Sequence, residues 1–209
     1  ECPWPLDRLL LETNAESDNY LAEHLFKTLG AEFHGRGSFE GSAEAVRATL
    51  EAAGVVLTGF KQVDGSGLAR NDDGGNRASP ETVTSLLRVM AVHPSGGPFL
   101  RSLAVSGQRG TLRHRLDEGP LDGRVHAKTG WIKGSLTLSG YVHRDDARVA
   151  VFSILVNYDA PYTYDRRQVV IGFQEQVLRA VWDHLETVNP DWRTPPALAR
   201  EFNGSPGAN

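Results

Sequence analysis

The sequence predicts an α+β fold, on three observations. Apolar residues recur at helical spacing between Leu6 and Val92, strand-like segments with short polar links begin at Arg124, and a four-residue apolar repeat runs from Asp165 to Leu185. The implied layout is a helical layer, then a small antiparallel sheet, then a helix to cover it.

Taken in order, Leu6–Leu29 reads as helical, with Leu21, Leu25 and Leu29 on a single face and Gly30 as a stop. A second helix fits Ala43–Ala53, with Ser42 as N-cap and Gly54 as the C-terminal glycine. Val55–Val63 reads as a short strand, and Asp64–Ala78, rich in Gly, Asn and Asp, as loop. Ser79-Pro80 supplies a cap and a first-turn proline for a helix running to Val92. Arg124–Ile132, Ser135–His143 and Ala147–Asn157 form three strands joined by Lys133-Gly134 and by the Arg144–Ala147 link. The closing helix spans Asp165–Leu185, with Val169, Phe173, Val177, Val181 and Leu185 as its apolar stripe. Residues 190–209 hold Pro190, Pro195, Pro196 and Pro206 and read as a tail that wraps loosely or frays.

Bulk properties narrow the function. The 209 residues suffice for a real core, and 40% hydrophobic with 23% charged residues is ordinary for a globular protein. A net charge of −4 with interleaved signs, and no basic stripe, speaks against nucleic acid as a partner. A lone cysteine, Cys2, excludes an internal disulfide or a multi-cysteine metal site. The seven histidines show neither H-x-x-x-H nor H-E-x-x-H, so no metal is expected. No apolar run reaches membrane-spanning length. The chain opens without a signal-peptide pattern and its single methionine is Met90, so its start reads as a cut.

Two tripeptides carry candidate chemistry: Ser17-Asp18-Asn19 before a helix and Lys128-Thr129-Gly130 on a strand. Singly, each also fits ordinary capping or strand-edge roles. Penicillin-recognising serine acyl-transferases combine S-x-x-K, S-x-N and K-T-G. The second and third occur here in that order and on the matching element types. Further segments agree: Glu16-Ser-Asp-Asn-Tyr-Leu-Ala-Glu23, Asp64-Gly-Ser-Gly-Leu-Ala-Arg70, Gly110-Thr-Leu-Arg-His-Arg115, and Ala127-Lys-Thr-Gly130 followed by Leu138-Ser-Gly-Tyr-Val142. Together they resemble the low-molecular-mass D-alanyl-D-alanine carboxypeptidase/endopeptidases of the serine peptidase S13 type, from about Leu6 to Leu185.

The resemblance implies a penicillin-binding transpeptidase/β-lactamase-like fold in truncated form. Residues 1–189 would be the C-terminal part of the catalytic domain and 190–209 the tail. It implies an acyl-enzyme route to cleavage of D-Ala-D-Ala termini or D-amino-acid cross-links in peptidoglycan peptide stems. β-Lactams would acylate such an enzyme, no cofactor would be needed, and the compartment would be periplasmic or otherwise extracytoplasmic. By the same resemblance, Ser17 passes a proton toward the leaving nitrogen. Asn19 hydrogen-bonds the substrate backbone and the catalytic lysine, and Lys128 keeps positive charge beside Ser17. Thr129 binds the substrate carboxylate, Gly130 keeps the strand clear, and the Trp131 N–H gives half an oxyanion hole, worth about 3 kcal/mol in comparable sites. Asp64 and Arg70 would tie their loop to the sheet.

Two departures stand out. Trp131 occupies a position that is usually Ser or Thr, and no Ser-x-x-Lys occurs anywhere in the 209 residues. The expectation is a fragment whose nucleophile lies upstream, with a three-stranded sheet in place of the family's five and Val149–Val156 on an exposed edge. A β-lactamase or esterase on the same fold, and a non-catalytic peptidoglycan-binding remnant, remain alternatives. His126, two residues before Lys128 on the same strand side, reads foremost as an ordinary strand histidine. Gly65-Ser66-Gly67 lacks the spacing of a nucleophile elbow, and the Gly35–Gly41 run matches a phosphate loop by glycine count alone.

Overall fold

A computed structural model describes residues 4–68, 75–144, 148–159, 161, 163–188, 198 and 202. Helices α1 (Leu6–Asn14), α2 (Asn19–His34), α3 (Phe39–Ala52), α4 (Pro80–Val92) and α5 (Gly96–Ser102) precede the sheet. Strands β1 (Ala104–Val105), β2 (Val125–Ile132), β3 (Ser135–His143) and β4 (Val149–Asn157) form one antiparallel sheet in the order β1-β2-β3-β4. Helix α6 (Tyr164–Thr187) closes the fold, and single 3-10 turns lie at Gly110–Leu112 and Gly119–Leu121.

The sheet is covered on both faces. Alternation along the strands sends Val125, Ala127, Leu138 and Val142 toward Leu178 and Leu185 of α6, in one buried cluster. The opposite face sends Tyr141 and Val149 against Leu87, Ala91, Leu100 and Leu103 of the α4–α5 layer. The buried Tyr141 hydroxyl donates to the Leu87 carbonyl at 2.7 Å, so the polar end of this core residue is satisfied. Leu198, from the Pro-rich segment, is 1% exposed in this second cluster, and Phe202 packs beside it. At these two residues the tail is docked, because each brings apolar surface to the sheet. No helix among the described residues is long and apolar enough to cross a membrane.

Five expectations need correction. The helical stretch expected over Leu6–Leu29 is two helices, broken where Ser17 takes a left-handed conformation (φ 62°) and Asp18 caps α2 by accepting from the Leu21 N–H at 2.9 Å. The next helix starts earlier, at Phe39, with Ser38 as its cap. Ser42 is buried inside it, donating to the Ser38 carbonyl at 2.6 Å. Val55–Val63 forms no strand, since among the described residues it finds a single bridge, between Lys61 and Arg77, and a strand needs a continuous partner. The sheet has four strands, because Ala104–Val105 pairs with Ala127 and His126. In α6 the buried residues are Gln174, Leu178 and Leu185, whereas Val169 and Phe173 are exposed. A strict spacing of four advances about 40° per step on a helix of 3.6 residues per turn, so the two ends of the stripe face different ways. Part of the Arg144–Ala147 link, and Cys2 and Arg70, lie outside the described residues.

Candidate active site

The seam between the helical part and the edge of the sheet brings the two motifs together. Lys128 Nζ lies 2.6 Å from Ser17 Oγ, across 111 residues of sequence, and also donates to the Thr129 carbonyl at 2.8 Å. An ammonium only donates, so Ser17 Oγ is the acceptor and its own hydrogen is free to point elsewhere. Burial lowers the Lys128 pKa from 10.5 to about 8, so the side chain remains mainly cationic at neutral pH but close to its titration range. The left-handed backbone at Ser17, costing on the order of 1–3 kcal/mol, marks a residue held in place by its surroundings.

Those surroundings are supplied by Gly110–Arg115. The Thr111 N–H donates to the Ala15 carbonyl at 2.9 Å, and a Cβ on Gly110 (φ 67°) would overlap that same oxygen. Arg113 donates to the Gly110 carbonyl at 3.0 Å and to the Glu16 carboxylate at 2.6 Å, beside Ser17. Arg115 turns the other way and grips α6 through Glu175 at 3.1 Å and Gln174 at 3.2 Å. Thr129 Oγ1, meanwhile, donates to Thr111 Oγ1 at 2.8 Å. One short segment therefore registers the Ser17 turn against β2 and the sheet's covering helix. Its residue types matched a motif, but nothing in their spacing announced these long-range partners.

The other expected site residues are placed less directly. Asn19 stands at the start of α2, where it lines an open cavity of about 640 Å³ with Tyr20, Glu23, Asp64, Ser66 and Leu68. Among the described residues its amide makes no hydrogen bond to Ser17 or Lys128. Gly130 sits opposite Thr137 of β3, and a Cβ there would overlap the Thr137 hydroxyl, so neighbouring-strand packing already requires glycine. Trp131 is 54% exposed, with the Arg167 guanidinium of α6 5.0 Å from its ring centroid. His126 is packed beside His143 and Phe202, with ring centroids 5.3 and 5.4 Å away, rather than at the Ser17 contact. Burial, then the charges of His143 and Arg109, lower its pKa to about 3, so it is neutral across the physiological range.

The Asp64 loop is fastened to α2 by a residue that the sequence reading left without a role. Glu23 accepts from the Gly65 and Ser66 N–H groups, each at 3.1 Å, and from the Ser66 hydroxyl at 2.6 Å. Those hydrogen bonds outweigh the opposing effect of burial and hold its pKa below the usual value. Glu23 lies one helical turn after Asn19, so the loop is fixed relative to the candidate site.

Comparison with known proteins adds an independent line. The family model described as D-Ala-D-Ala carboxypeptidase 3 (S13) matches residues 3–177. A D-alanyl-D-alanine carboxypeptidase of Actinomadura sp. (strain R39) is 35% identical over 157 residues, covering 73% of this chain and 28% of the relative. Penicillin binding protein 4 of Haemophilus influenzae, crystallised with a β-lactam, superposes with a TM-score of 0.75 at 27% identity, over 85% of this chain and 41% of that one. The TLA-1 extended-spectrum β-lactamase shares the fold, at a TM-score of 0.62 and 18% identity over 86% of this chain and 64% of the other. The chain spans about a third of the length of the curated relatives it matches.

Proposed function

The chain belongs to the D-Ala-D-Ala carboxypeptidase 3 (S13) family, and on that premise we propose that it forms part of the catalytic centre of a serine-type D-Ala-D-Ala carboxypeptidase or endopeptidase. Its substrates would be peptidoglycan peptide stems, its inhibitors β-lactams, and its compartment extracytoplasmic. The carrying observation is the 2.6 Å contact between Lys128 Nζ and Ser17 Oγ across the seam.

In this reading a serine hydroxyl from a Ser-x-x-Lys element outside these 209 residues adds to the penultimate D-Ala carbonyl. Its proton passes to a base and on through Ser17 Oγ to the leaving nitrogen. The carbon–nitrogen bond breaks, D-alanine departs as an amine, and the acyl group remains on the serine as an ester that water then hydrolyses. Lys128 holds Ser17 as an acceptor, so that its hydroxyl hydrogen can face the leaving group, and it places positive charge near the substrate carboxylate. Thr129 takes part in binding that carboxylate, Asn19 meets the substrate backbone from α2, and Gly130 lets the ligand chain approach β2. The Trp131 N–H belongs to the oxyanion site, and the indole, lying against Arg167, forms its rim.

Fluorescent penicillin tests the reading. The natural full-length protein should label covalently, and unlabelled benzylpenicillin should compete. Absence of any acylation under conditions where the fold is intact would rule the reading out.

A further inference from the structure

Thr111 supplies a hydroxyl at the carboxylate end of the site that the motif assignments do not use. We propose that it is the hydroxyl of the Thr129–Thr111 pair that donates to the terminal carboxylate of the bound peptide, or to the equivalent carboxylate of a β-lactam. The inference rests on the function proposed above.

The hydrogens of the Thr129–Thr111 pair decide which hydroxyl can donate. Thr129 Oγ1 and Thr111 Oγ1 are 2.8 Å apart, with Thr129 as donor. That contact consumes the Thr129 hydrogen and leaves Thr129 with only lone pairs to offer. A carboxylate accepts and does not donate, so it needs a hydrogen from elsewhere. The Thr111 hydroxyl hydrogen has no acceptor among the described residues. In the linked pair, Thr111 is therefore the end that can donate to an anion, and the bond from Thr129 polarises it toward doing so.

Placement supports the same role. Thr111 is exposed between buried Gly110 and Leu112, so its side chain reaches solvent from a fixed backbone. Its N–H is bound to the Ala15 carbonyl, and Arg113 clasps the turn through the Gly110 carbonyl and Glu16. A donor held in advance costs little ordering when the ligand arrives. The neighbouring guanidinium groups are engaged, Arg113 with Glu16 and Arg115 with Glu175 and Gln174. Trp131, the residue after K-T-G, carries no hydroxyl. Thr111 thus provides a hydroxyl directly beside Thr129.

The test measures acylation of the natural full-length protein by benzylpenicillin and by its methyl ester, which presents no carboxylate. Thr111→Val should lower the second-order acylation constant for benzylpenicillin about tenfold, as loss of one hydrogen bond to a charged group does. The loss should fall on the binding constant rather than on the acylation step, and Thr111→Ser should restore the wild-type value to within about twofold. The ester should react with wild type and Thr111→Val alike, and the thermal midpoint should not move. A Thr111→Val protein that acylates normally, or one equally impaired toward acid and ester, overturns the role of Thr111 and leaves the proposed function standing. Failure of the wild-type protein to acylate at all overturns both.

Discussion

Lys128 and His126 lie two residues apart on one side of β2, and burial displaces both from their ordinary titration ranges, yet they end in opposite states. Lys128, lowered to about 8, stays mainly charged at neutral pH; His126, lowered to about 3, is neutral. The difference lies in the starting points: burial lowers both, but an amine that begins at 10.5 stays above neutrality whereas an imidazole begins at 6.5. The ammonium has oxygen acceptors at 2.6 and 2.8 Å in Ser17 and Thr129. The imidazole packs against His143 and Phe202 and has a backbone hydrogen bond at Leu100, while its Nδ1 has no hydrogen-bond partner among the described residues. The acceptors at Ser17 and Thr129 leave the remaining Lys128 charge paired inside the seam. The strand thus carries a cation into the seam at one position and a neutral packing residue toward the core at another.

The strongest way to break this contrast is to remove each side chain in turn. Lys128→Ala should slow penicillin acylation by about a hundredfold or more, the scale of losing one well-placed electrostatic contact. His126→Gln should stay within about threefold, since the ring lies outside the reacting groups. Equal losses would erase the distinction. A medium effect is expected for Arg113→Ala, which unties Glu16 beside Ser17. Acylation should fall about fivefold through poorer positioning, and the melting temperature should barely change, because the ion pair is half exposed and adds little stability.

Two pH experiments sharpen the comparison further. The ammonium of Lys128 is present below its folded value and lost as pH rises through it, so acylation should decline above pH about 8. The unfolded chain keeps its lysine proton up to 10.5, so the same shift lets folding gain stability between about 8 and 10.5. For His126 the sign is the same, in a lower window. Below pH 6.5 the unfolded chain takes up a proton that the folded ring refuses until about 3, so stability falls across that window. In urea titrations His126→Gln should show a shallower decline between pH 6.5 and 4 than wild type. The same slope in both would mean that other groups carry the acid sensitivity.

Much of this was legible in the sequence, unevenly. The three long strands and the helix after Ser79-Pro80 were readable because alternation, caps and turn residues are local signals. Ser17 and Lys128 were nameable because their motifs are short and ordered. The break before α2 was hidden because Leu21, Leu25 and Leu29 continue a helical rhythm and no Gly or Pro interrupts it; the Asp18 cap was the available clue. β1 escaped notice because two residues carry no period. The roles of Thr111, Arg113 and Glu23 depend on partners 18, 97 and 43 positions away, and no local pattern encodes such pairings. The first half of the α6 stripe, Val169 and Phe173, failed for a different reason, since a spacing of four rotates off the buried face over about four turns of helix.

The central claim is that Ser17 and Lys128 act as one unit, and a double-mutant cycle on acylation by penicillin addresses it most directly. In the natural full-length protein, Ser17→Ala, Lys128→Met and the combined variant should all be slowed to a similar degree, because removing either partner already disables the shared proton path. If the two losses instead multiply in the combined variant, the residues act independently and the contact between them is structural only.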